Sequence, residues 1–170
     1  MIPEIYKVRD LERSFLATMP YPSGDDELSE ELSGLRELGV DILVSLLEPS
    51  ESEMLGLTMT GALAAGLGLE FVSYPVPDHD VPPKPREFAN LAFELSDRLI
   101  GGSNVAVHCL GGIGRSTLLA AAIMVDLGDD PGTLFDRMSW ARGYPVPDTT
   151  DQMDWFFEMC GLFGSRSISE

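Results

Sequence analysis

His108-Cys109-Leu110-Gly111-Gly112-Ile113-Gly114-Arg115-Ser116 is the stretch on which the fold turns. A short β-branched run, Val105-Ala106-Val107, precedes it, and an apolar, alanine-rich stretch from Thr117 to Leu127 that reads as a helix follows. A strand, a tight glycine-rich loop and a helix N-terminus make an anion site, because the loop N–H groups and the helix dipole converge on one point. Here that cradle has a thiol at its floor and a guanidinium at its rim, a pairing suited to attack on a phosphate group. Gly111, Gly112 and Gly114 let the backbone curl with its N–H groups inward and without Cβ clashes.

Outward from the loop, short apolar strands alternate with helical periods. This predicts an α/β domain with a mostly parallel central sheet flanked by helices, a single domain over residues 1–170. Leu28, Leu32, Leu35 and Leu38 recur at helical spacing ahead of Gly39. Asp41 to Leu47 reads as a buried strand, and Ser50 with Glu53 as a capping box opening a short helix. Gly66 and Gly68 end that helical region before a second strand, Glu70 to Tyr74. Pro75 to Pro85 holds five prolines and predicts a loop. A helix over about Arg86–Leu99 sets Phe88, Leu91, Ala92, Leu95 and Leu99 on one face. Asp130-Pro131 is expected to open another helix as N-cap and N1. Met153, Phe156, Phe157, Cys160 and Phe163 mark a last amphipathic helix, capped by Thr149 or Thr150, and the tail from Gly164 to Glu170 is expected to fray.

Composition narrows the partners. With 11 lysines and arginines against 28 acids, the net charge is −17, which argues against nucleic acid and anionic membrane surfaces. The longest uncharged run, Met54 to Leu69, is too short to span a bilayer. Two cysteines make no disulfide framework, and Met1-Ile2-Pro3-Glu4 lacks the basic and apolar regions of a signal peptide, so a reducing cytoplasm is expected.

A free cysteine is mostly protonated at neutral pH, and converging amides, a helix N-terminus and Arg115 favour its thiolate. Arg115 can grip two phosphate oxygens at once, a geometry lysine cannot supply. Ser116 is placed to hydrogen-bond the cysteine sulfur. His108 reads as a residue that holds the loop and tunes the cysteine, with a core histidine ending a strand as the alternative. Phosphoryl transfer also needs an acid for the leaving oxygen. Pro75-Val76-Pro77-Asp78-His79-Asp80-Val81-Pro82-Pro83 offers two candidates, Asp78 and Asp80.

His108-Cys109, five residues, then Arg115-Ser116 resembles the signature of the cysteine-dependent protein tyrosine and dual-specificity phosphatases. With Leu110-Gly111-Gly112-Ile113-Gly114 between Cys109 and Arg115, it is most similar to the cyclin-dependent-kinase-inhibitor-associated type. The Pro75 segment is similar to that group's acid loop, in a register that favours Asp78 over Asp80. The resemblance implies a phosphatase fold and hydrolysis of phosphate monoesters without metal or cofactor. It implies Cys109 as the nucleophile forming a phosphocysteine, Arg115 as the phosphate-binding cation, Ser116 as the aid to its breakdown and Asp78 as the acid. Gln152 stands where family members keep a glutamine that can face the site and orient water, with a polar residue at a helix N-terminus as the alternative.

The expected substrate is a phosphorylated protein or a small phosphate ester. The loop between Cys109 and Arg115 contains no lysine or arginine, which argues against a polyphosphorylated lipid. Other readings are a non-catalytic phospho-binding module on the same fold, a low-molecular-weight phosphatase or arsenate reductase with its cysteine displaced from the N-terminus, and a metal site from His79, Asp80, His108 and Cys109. Cys160 reads as a core thiol rather than a redox partner of Cys109.

Overall fold

The computed structural model describes residues 2–166. Among them five strands form one sheet: β1 (Tyr6–Asp10), β2 (Phe15–Met19), β3 (Ile42–Ser45), β4 (Glu70–Ser73) and β5 (Val105–His108), in spatial order β1-β2-β5-β3-β4. β2, β5, β3 and β4 run parallel, and β1 pairs antiparallel with β2, so the sheet is mixed with a mostly parallel body. Seven α-helices flank it: α1 (Leu28–Glu37), α2 (Pro49–Met54), α3 (Thr60–Gly66), α4 (Pro85–Ile100), α5 (Arg115–Asp126), α6 (Leu134–Arg142) and α7 (Thr150–Phe163).

Side chains alternate across a strand, so each central strand feeds two cores. Val105 and Val107 of β5, with Ile42 and Val44 of β3, face a layer built from α4, α5, α6 and α7. Ala106 and Leu43 face the opposite layer, where Leu28, Leu32 and Leu35 of α1 and Ala64 of α3 close the sheet. From Arg115 to Val125 every residue of α5 is buried, which explains why this helix is apolar around its circumference.

Several sequence expectations shift. β1 and β2 were not anticipated, and the cysteine strand follows four strands rather than two. β1, Tyr-Lys-Val-Arg-Asp, is a polar edge strand, and β2 is fully buried yet carries Ala and Met, residues with weak strand preference. Pairing with β5, not local pattern, makes β2 a strand. The Ser50–Glu53 box is displaced: Glu48 is the N-cap, Pro49 occupies N1, and the Glu51 carboxylate accepts the Glu48 N–H at 2.9 Å. Proline lacks the N–H that N1 leaves unused, so it fixes the earlier start.

α6 begins at Leu134 with Thr133 as N-cap, not at Asp130-Pro131. The Asp130 carboxylate accepts the Gly132 N–H at 3.0 Å, and its carbonyl accepts the Thr133 N–H at 3.2 Å. An aspartate that closes its own turn competes with helix propagation. The expected fraying does not extend to Gly164–Arg166, because Arg166 pairs with Asp97 at 2.9 Å and with Asp126 at 2.6 Å. Residues 167–170 lie outside the described residues.

Candidate active site

Ligand sites of open α/β sheets form at the carboxyl ends of the strands, and the candidate groups gather there. β5 delivers Cys109, β3 leads into α2 with Glu51, β4 leads into the proline-rich loop with Asp78, and β2 leads to Tyr21. Adjacent parallel strands bring these four segments together although the chain spreads them over almost 90 residues.

The loop from Cys109 to Gly114 is held by backbone geometry and by outside contacts. Gly112 sits at φ +72°, and a Cβ there would fall 2.7 Å from the Met19 carbonyl carbon. Only glycine fits that position. A Cβ at Gly114 would meet the Asp148 Cβ at 2.9 Å and the Gln152 amide nitrogen at 3.0 Å, so Gly114 is what lets the segment before α7 close onto the loop. The Tyr21 N–H donates to the Leu110 carbonyl at 3.1 Å, and Arg142 Nη2 donates to the Gly111 carbonyl at 3.0 Å. The Arg142 guanidinium lies 4.1 Å from the centre of the Tyr6 ring, which anchors it by cation–π attraction.

Cys109 is buried at the floor, with Sγ 3.3 Å from the Ser116 Oγ. His108 is buried and its Nδ1 lies 3.2 Å from the Cys109 carbonyl oxygen, which fixes the ring N–H on that nitrogen as donor. Burial, assisted by the Arg115 charge and opposed by the Cys109 carbonyl, pushes its pKa down to about 4, so the ring is neutral at pH 7. It is fully enclosed and braces the loop.

Arg115 opens α5 with its side chain only 1% exposed. Its Nη1 donates to Glu51 Oε1 at 2.7 Å and to the Val76 carbonyl at 2.8 Å, and its Nη2 donates to Glu51 Oε2 at 2.9 Å. Asp78 Oδ1 approaches Arg115 Nη2 at 3.0 Å. Burial alone would pull the guanidinium's pKa down; the Glu51 hydrogen bonds and the nearby Cys109, Glu51 and Asp78 charges more than offset it. Reciprocally, burial raises the Glu51 carboxyl, but Arg115 and the Glu48 N–H hold it below the usual carboxylate range. A buried cation left unpaired costs several kcal/mol, so Glu51 is what makes the position of Arg115 tenable.

The two candidate acids separate. Asp78 lines a cleft of about 350 Å³ together with Cys109, Arg115, Tyr21, His79 and Asp148. Asp80 is turned away: its carboxylate accepts the Val81 N–H at 2.7 Å, and its carbonyl accepts Gln152 Nε2 at 3.1 Å. Gln152 lines the cleft, yet both ends of its amide are used, because Oε1 also accepts the Asp148 and Thr149 N–H groups at 3.1 Å. It ties α7 to the acid loop instead of standing free to orient water. Thr149 is the cap of α7, its Oγ1 accepting the Gln152 N–H at 3.1 Å.

Cys160 lies on α7 packed against the main core, and burial pushes its thiol up. Among the described residues no three or more His, Cys, Asp or Glu side chains are grouped to hold a metal ion, and no helix is long and apolar enough to cross a membrane. Sequence reading missed Glu51, Arg142 and Asp148. Glu51 left one trace, its place three residues after an N-cap; Arg142 was visible only as part of the segment that resembles the family's glutamine region, and Asp148 left none, because their partners are 31 and 69 residues away.

The sequence model of a family described as "Polymorphic toxin system, DSP-PTPase phosphatase" matches residues 17–129. Among solved structures, the chain is similar to kinase associated phosphatase with its catalytic-site cysteine replaced by serine (TM-score 0.83, 19% identity, covering 100% of this chain and 98% of that one). It is also similar to Tk-PTP in the active form (TM-score 0.71, 24% identity, 94% and 97% covered). PTPMT1 is a further likeness (TM-score 0.75, 16% identity, 98% and 100% covered), and another structure of that protein is a complex with PI(5)P. No curated protein matches the sequence.

Proposed function

The chain belongs to the DSP-PTPase phosphatase family of polymorphic toxin systems, and on that premise we propose that it hydrolyses phosphate monoesters, foremost on phosphoproteins, through a cysteinyl-phosphate. The Cys109 thiolate attacks phosphorus while Arg115 and the loop N–H groups hold the equatorial oxygens. As the S–P bond forms, the P–O bond breaks, and the leaving oxygen takes its proton from Asp78. Asp78, now a carboxylate, takes a proton from water as that water attacks phosphorus. The S–P bond then breaks, Ser116 donates its hydroxyl to the departing thiolate, and inorganic phosphate leaves.

The observation that carries this reading is the 3.0 Å approach of Asp78 to Arg115, which joins the acid loop to the loop bearing Cys109. Arg115 is the one lysine or arginine among the described residues that line the cleft, and the net charge is −17. A polyphosphorylated lipid headgroup lacks counter-charges there, which favours a single phosphate on tyrosine, serine, threonine or a small ester. The same charge disfavours nucleic acid and anionic membranes, and the two free cysteines suit a reducing cytoplasm.

The test incubates purified protein with p-nitrophenyl phosphate, a panel of tyrosine, serine and threonine phosphopeptides, and phosphoinositide vesicles, with and without EDTA. Turnover of the first two, resistant to EDTA and abolished in Cys109→Ser, is the expected result. Binding without turnover would make the protein a phospho-binding module, and turnover confined to the vesicles would overturn the substrate class.

A further inference from the structure

Across the mouth of the cleft, His79 Nδ1 lies 2.6 Å from Asp148 Oδ2. His79 adopts φ +58°, the left-handed region that non-glycine residues rarely enter. In that turn its backbone N–H donates to Asp78 Oδ1 at 3.0 Å, and its Nε2 stands 3.6 Å from Asp78 Oδ2. His79 therefore faces Asp78 with both its backbone and its ring while its other ring nitrogen holds Asp148.

Asp148 is itself fixed. Its backbone N–H donates to Gln152 Oε1, and its Cβ stands where a side chain at Gly114 would have to go. The acid loop is thus fastened to the segment before α7 at two points: the His79–Asp148 contact, and the bond from Gln152 Nε2 to the Asp80 carbonyl. Both fastenings follow Asp78, one residue and two residues along the chain.

We propose that His79 and Asp148 are positioning residues for the acid Asp78, a latch that holds the proline-rich loop over Cys109 and Arg115. This rests on the phosphatase reading above. Asp78 has only a short, proline-bounded loop beneath it, and a carboxyl group that must meet a leaving oxygen within hydrogen-bond reach loses efficiency with small displacements. The ring-to-carboxylate contact adds a side-chain restraint beside Asp78 to the backbone bond that Gln152 makes at Asp80.

The test compares two aryl esters, one with a good leaving group (p-nitrophenyl phosphate) and one with a poor one (phenyl phosphate), on wild type, His79→Gly, His79→Asn, Asp148→Asn and the double variant His79→Gly/Asp148→Asn. Glycine relieves the left-handed backbone and removes the ring. Asparagine tolerates that backbone and keeps a donor where Nδ1 stood. The expected result is a kcat loss of about tenfold or more on phenyl phosphate in His79→Gly and Asp148→Asn, a smaller loss on p-nitrophenyl phosphate, recovery in His79→Asn, and a double variant no worse than either single one. Equal losses on both esters, full activity of His79→Gly, or additive losses in the double variant would each overturn the latch. Wild-type protein inert toward both esters would instead overturn the phosphatase reading, so the two failures are distinguishable.

Discussion

Glu51 Oε1 and Oε2 lie 2.7 and 2.9 Å from the two terminal nitrogens of Arg115, across 64 residues of sequence. The pair is a fork-to-fork ion pair with the arginine fully enclosed and the glutamate 18% exposed. Under the proposed mechanism it presets the guanidinium plane before phosphate arrives, so less ordering remains to be done on binding.

Glu51→Gln keeps the shape and removes the charge. Stability is expected to fall by about 3 kcal/mol, the lower end for breaking a buried pair, since Glu51 keeps some contact with water. Phosphate-monoester turnover should fall with it. Urea unfolding alongside steady-state kinetics checks this, and an unchanged midpoint with unchanged kcat would mean that the Val76 carbonyl and the loop suffice to hold Arg115.

Asp78→Asn and Asp80→Asn should diverge. Loss of a general acid costs about 10²–10⁴-fold on a substrate with a poor leaving group. Asp78→Asn is expected in that range on phenyl phosphate and well above it in activity on p-nitrophenyl phosphate. Asp80→Asn should stay within a few-fold on both, since the Asp80 contact to Gln152 runs through its backbone carbonyl. The reverse order would assign the acid to Asp80.

Gly112→Ala and Gly111→Ala separate backbone need from loop composition. At 112 an alanine meets both a positive φ and the Met19 backbone; at 111 it meets only the Ile113 side chain at 3.5 Å. Gly112→Ala should cost at least about 2 kcal/mol, which is roughly 4–8 °C in melting temperature for a domain of this size. Gly111→Ala should melt close to wild type. Differential scanning calorimetry decides between them.

His108 makes stability depend on pH in a defined window. Its folded pKa of about 4 lies below the ordinary value of 6.5, so the unfolded chain binds the proton first. Stability is complete above pH 6.5 and declines as pH falls toward 4, by on the order of 3 kcal/mol in total. Glu51, held below its ordinary 4.5, adds its own loss only as pH falls beneath that value. Between pH 6.5 and 5 His108 contributes a loss of stability as pH falls, and His108→Asn should reduce the slope in urea titrations at stepped pH.

How much was legible depended on how local the signal was. The cysteine loop, its strand and its helix were readable because the chemistry, the glycines and the apolar runs sit within about 25 consecutive residues. The proline-rich loop and its two aspartates were readable for the same reason, while the preference for Asp78 came from the resemblance to the family's acid loop. β1 and β2 were not legible, since a polar edge strand and an Ala- and Met-bearing strand lack the local pattern that pairing later supplies.

The sequence by itself determined the α/β architecture, the cradle from Cys109 to Ser116 and the pair of candidate acids, because each is written in neighbouring residues. Only the tertiary structure decided that Glu51 holds Arg115, that Gln152 spends its amide on the acid loop, that Asp78 rather than Asp80 faces the cleft, and that His79 reaches Asp148. Those relations join residues 64 to 72 positions apart, or turn on which way a loop carboxylate points. Parallel strands aligned in one sheet carry their C-terminal loops to a common edge, and that alignment is set by packing on both faces of the sheet rather than by any single stretch of chain.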